Sequence, residues 1–67
     1  MMDRAPLVRM ANQIAANLAV RGEAVAATQT AQHIRDFWDP RMKAAILAEG
    51  PAELSPIAKA ALLQLRG

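Results

Sequence analysis

Sixty-seven residues allow a single small domain, 1–67, and a domain of this size buries only about 60% of the surface its unfolded chain exposes. The chain has no cysteine, eight basic and six acidic residues, and 54% apolar content. That composition excludes disulfide staples and thiolate metal sites, and it supplies no dense basic patch for nucleic acid. No apolar run approaches the ~20 residues that span a bilayer. The lack of cysteine and of a secretory leader fits a reducing cytoplasm, and a partner protein is the remaining source of added stability.

Much of the apolar content is alanine, which implies closely packed helices with few large anchors. The first helix is expected after an Asp3 cap, with Pro6 tolerated in the first turn. Leu7, Met10, Ala11, Ile14, Ala15 and Leu18 follow the spacing of an amphipathic helix. Val8 and Ala19 widen the apolar arc to about half the circumference, so this helix should meet more than one neighbour. Met10 reads as core filling, and Asn12 with Gln13 reads as a solvated face or as donors to a partner's backbone. Gly22 closes the helix as a C-terminal cap.

The second helix is expected over about 23–38, with Ala27, Ala31, Ile34 and Trp38 on one stripe. Phe37 lies about 100° from Trp38 around the axis. One ring should therefore enter the core while the other faces a different surface, and the spacing does not say which. Asp39-Pro40 then ends this helix and starts the next, with Asp39 as N-cap and Pro40 at the first helical position.

The third helix runs to about residue 49, before Gly50-Pro51, and buries Met42, Ala45, Ile46 and Leu47. Arg41 and Lys43 occupy its first turn, where the macrodipole disfavours cations by a few tenths of a kcal/mol. Either they pair with Asp36 or Asp39, or they meet acidic groups of a partner. Ser55-Pro56 repeats the cap-then-proline signature and opens a short fourth helix with Ile57, Ala58, Ala61, Leu62 and Leu65 on its apolar face. The fold class is thus all-α, a small bundle of three to four short helices with tight Asp-Pro and Ser-Pro junctions.

Only His33, Asp36 and Asp39 form a grouping suggestive of chemistry. Their i, i+3 and i+6 spacing does not put all three on one helix face, and Asp39 is needed as a cap, so no catalytic, cofactor or metal residue is assigned. His33 reads as an ordinary boundary histidine. Phe37, Trp38, Arg41 and Lys43 are instead the candidate partner interface, since aromatic and arginine anchors dominate interface energetics.

The segments Leu7-Val-Arg-Met-Ala-Asn-Gln-Ile-Ala15 and His33-Ile-Arg-Asp-Phe-Trp-Asp-Pro-Arg-Met42, with the leucine-rich end after Ser55-Pro56, resemble the small delta subunit of bacterial NAD-dependent, molybdenum- or tungsten-containing formate dehydrogenases. The resemblance implies a non-catalytic accessory subunit of a hetero-oligomeric complex, docked on the large catalytic subunit to support its assembly, stability or cofactor insertion. It implies no cofactor in this chain; partner subunits would carry molybdopterin, iron–sulfur clusters and FMN. Neither nucleic acid nor membrane is an expected partner. Two alternatives remain at this point: a small helix-turn-helix DNA-binding protein, and a free-standing helical homodimer.

Overall fold

A computed structural model describes residues 4–48 and 53–66. Four α-helices form among these residues: α1 Arg4–Leu18, α2 Glu23–Phe37, α3 Pro40–Ala48 and α4 Pro56–Arg66, with a 3-10 turn Ala19–Arg21 after α1. No described residue lies in a strand, and the all-α expectation holds. The expected Asp3 cap and the Gly50-Pro51 stop lie outside the described residues.

Gly22 joins α1 to α2 at φ +96°, a left-handed region that costs an L side chain energy but not glycine. Its N–H donates to the Ala19 carbonyl at 3.1 Å, and its own carbonyl accepts from Ala26 N at 2.8 Å. One residue thereby closes the 3-10 turn and opens α2. Open space surrounds the position where a Cβ would stand, so the demand for glycine here is conformational.

The junction between α2 and α3 has only two residues. Trp38 leaves the helix in an extended conformation while its N–H still donates to the Ile34 carbonyl at 3.0 Å. Asp39 caps α3 by accepting from Met42 N at 2.9 Å through Oδ1. Ser55 serves α4 in the same way, its Oγ accepting from Ala58 N at 3.3 Å. Both cap-then-proline readings are met.

Helix α2 packs most extensively against α4 and next against α1. Its stripe of Ala27, Ala31, Ile34 and Trp38 is buried, together with Ala26 and Thr30. The principal core joins Leu7, Val8, Ala11 and Ala15 of α1 to Ile34 and Trp38, Ile46 of α3, Leu54, and Ala58 and Leu62 of α4. Alanines at the contacts let the helix axes approach, while Trp38, Ile34 and Ile46 supply the bulk. A Cα radius of gyration of 10.6 Å matches the ~11 Å of a packed chain of this length. Met10 departs from expectation: it is 43% exposed, because the neighbours of α1 cover less of its apolar arc than that arc is wide.

The start of α4 is fixed from a distance. Asn12 on α1 donates through Nδ2 to the Glu53 carbonyl at 3.0 Å and accepts from Ser55 N at 2.8 Å through Oδ1. These two bonds straddle Leu54, which is buried in the core. Asn12 therefore serves its own chain's backbone and is not a free solvated amide. Glu53 within this clamp has φ +69°, a strained value for a residue that is not glycine. At the far end of α4, Arg66 donates to the Leu47 carbonyl at 3.0 Å, satisfying an acceptor in the last turn of α3.

Candidate interaction surface

The end of α2 and the start of α3 carry all four residues proposed for partner contact, and the fold sorts them. Trp38 is 5% exposed and belongs to the core, whereas Phe37 is 75% exposed. The sorting depends on where the helix ends. Phe37 is the last helical residue and its side chain follows the α2 surface, while the extended backbone of Trp38 frees the indole from helical spacing and returns it to the core. Of the pair, Phe37 is the ring available to another protein.

One turn upstream, the exposed His33 ring lies against Phe37, with centroids 4.9 Å apart and planes at 39°. Beside them runs a polar ladder on the same helix. Arg35 donates to Gln32 Oε1 at 3.3 Å, and Gln32 Nε2 donates to both Asp36 carboxylate oxygens at 2.9 Å. The aromatic pair is thus an isolated apolar feature with polar groups around it.

The two first-turn cations of α3 have separate fates. Lys43 donates through Nζ to the Arg35 carbonyl at 3.4 Å, in the last turn of α2, where the macrodipole favours a positive charge. The neighbouring helix end thus offsets the unfavourable position of Lys43 in its own helix. Arg41 is exposed, and its side chain has no hydrogen bond or ion pair within the described residues. Neither cation takes the expected pairing with Asp36 or Asp39; the Asp36 carboxylate accepts from Gln32 Nε2, and Asp39 Oδ1 accepts from the Met42 amide.

The other large exposed apolar residues are aliphatic or thioether side chains on separate elements: Met10, Val20, Val25 and Leu63. A shallow depression lined by Ala24, Val25, Thr28 and Gln29 offers no charged group with which to orient a ligand. Among the described residues no three His, Cys, Asp or Glu side chains are grouped to hold a metal ion, and no helix is long and apolar enough to cross a membrane. The sequence reads His33 as a boundary residue, whereas the structure leaves it exposed; its ring contact follows from the i, i+4 spacing to Phe37.

The chain matches the family model of the NADH-dependent formate dehydrogenase delta subunit FdsD over residues 6–62. That span runs from the first turn of α1 into α4 and includes the Phe37 to Lys43 region. No curated protein and no solved structure matches the chain. With the match covering nearly its whole length, the chain belongs to the FdsD family of formate dehydrogenase delta subunits.

Proposed function

We propose that this chain is a non-catalytic accessory subunit that docks on the large catalytic subunit of a cytoplasmic, hetero-oligomeric formate dehydrogenase and supports its assembly, stability or cofactor insertion. The observation that carries the reading is the family match across residues 6–62. A cysteine-free chain supplies no thiolate for an iron–sulfur cluster. In this proposal molybdopterin, iron–sulfur clusters and FMN belong to the other subunits, as the family resemblance implies.

Phe37 and Arg41 are the contact residues in this proposal. Trp38 and Lys43 support them from within, the first by anchoring the junction in the core and the second by joining the start of α3 to the end of α2. Neither earlier alternative gains support. The homodimer reading relied on the apolar arc of α1, and Leu7, Val8, Ala11 and Ala15 are already buried inside one chain. The DNA-binding reading relied on the tight Asp39-Pro40 junction between two helices of a slightly basic chain; the helix after that junction offers only Arg41 and Lys43 near its start, and Lys43 is engaged by its own backbone.

Affinity purification of the tagged chain from its native cell, followed by an assay of formate-dependent NAD reduction, tests the proposal. Recovery of a large molybdopterin-containing subunit with that activity is the expected result. A chain that elutes alone, or with nucleic acid, refutes it.

A further inference from the structure

We propose that His33 and Phe37 form a preorganised aromatic knob that enters an apolar pocket on the catalytic subunit, and that Arg41 pairs with a carboxylate on the rim of that pocket. This inference rests on the accessory-subunit reading and specifies the chemistry of the contact. Phe37 is 75% exposed, yet its ring is already restrained by His33 at 4.9 Å. A side chain held in place before docking loses less conformational freedom on binding.

The surroundings decide the shape of the receptor. A helix laid in a groove presents apolar anchors at i, i+3 or i+4, and i+7. Counting back from Phe37, the i−4 position is His33, the i−7 position is Thr30, fully buried in the fold, and the i−8 position is Gln29, bonded to Arg21 at 3.1 Å. With Gln32, Arg35 and Asp36 linked into a ladder on the same helix, no apolar stripe continues from the ring pair. A single aromatic protrusion with a polar surround fits a pocket with a polar rim.

Charge identifies one group on that rim. Arg41 lies just past the two-residue junction from Phe37, and the nearby carboxylates of Asp36 and Asp39 are held by the Gln32 amide and the Met42 N–H. The Arg41 side chain is exposed and makes no hydrogen bond or ion pair among the described residues, which leaves its guanidinium free for a bidentate bond to a carboxylate from outside the chain. His33 is a positioning residue here, acting through Phe37.

The test measures affinity between variants of the full chain and a purified formate dehydrogenase complex lacking it, with circular dichroism confirming that each variant folds. Phe37→Ala is expected to weaken binding about thirty-fold or more, the range of an interface anchor. His33→Ala should weaken it about two- to ten-fold, and His33→Phe should restore it, because what matters is the ring contact. Arg41→Ala should weaken binding and flatten its salt dependence. Leu63→Ala, at an exposed apolar residue on α4, should bind as wild type. If Phe37→Ala binds as tightly as wild type, the knob is refuted and the accessory-subunit reading stands. If the wild-type chain does not bind at all, the accessory-subunit reading itself is refuted. Equal weakening by His33→Ala and His33→Phe overturns the positioning role.

Discussion

The two cap-then-proline junctions share a local grammar and differ in what holds them. At the α2–α3 junction nearly everything is local: Asp39 caps the residue three ahead, Lys43 reaches back to Arg35, and Trp38 plugs the core beneath. At the entry to α4 the cap is again local, through Ser55, but the loop is positioned by Asn12, more than forty residues away in the chain. The first junction leaves its outer side uncommitted, with Phe37 and Arg41 facing solvent. The second spends its polar groups inside the fold, so the same sequence signature marks a solvent-facing corner in one place and a structural weld in the other.

That contrast breaks most severely at Trp38. Trp38→Ala removes the largest side chain of the core and should cost about 3–5 kcal/mol. For so small a domain this is expected to abolish the cooperative unfolding transition followed by circular dichroism. A variant that still melts sharply near the wild-type temperature would mean the indole is not the plug of the junction.

The weld comes next. Asn12→Ala removes both bonds to the loop and leaves Ser55 N and the Glu53 carbonyl to find other partners, at a cost of about 1–3 kcal/mol. The corresponding loss at the other junction, Asp39→Ala, removes one cap bond and should cost about 1 kcal/mol. Urea denaturation midpoints of the two variants give the comparison directly. A smaller shift for Asn12→Ala than for Asp39→Ala would show that α4 does not depend on the distant clamp.

The smallest effect is expected at Thr30, and it has the opposite sign. Thr30 is fully buried, and its hydroxyl oxygen has no hydrogen-bond partner. Thr30→Val keeps the shape and removes the unsatisfied group, which should stabilise the chain by up to about 1 kcal/mol. A lower melting temperature for this variant would indicate that the hydroxyl finds a partner in solution.

The same contrast explains what could be read in advance. Helix starts at Pro40 and Pro56 follow from residues one to three positions away, and the buried stripe of α2 follows from its period. Those signals are local, so the sequence displays them. The choice between Phe37 and Trp38 was not legible, because a helical wheel assumes both residues are helical and Trp38 has already left the helix. Asn12 was missed for a different reason: its partners are backbone groups brought close only by the packing of α1 against the start of α4. The exposure of Met10 depends on how far neighbouring helices extend, which periodicity does not encode. At the candidate surface, the residue types were legible, and their division into core plug, backbone tether and free contact groups required the fold.

The division of labour between Phe37 and Trp38 is the central claim, and the protein carries its own probe, since Trp38 is its only tryptophan. Acrylamide quenching of tryptophan fluorescence in the isolated chain, for wild type and Phe37→Ala, tests it most directly. The structure predicts a blue-shifted emission resistant to quenching in both proteins, because the indole is buried in the core and the phenyl ring is largely exposed. A red-shifted, readily quenched emission from the folded wild-type chain, or protection lost in Phe37→Ala, would contradict the assignment of one ring to the core and the other to the exposed surface.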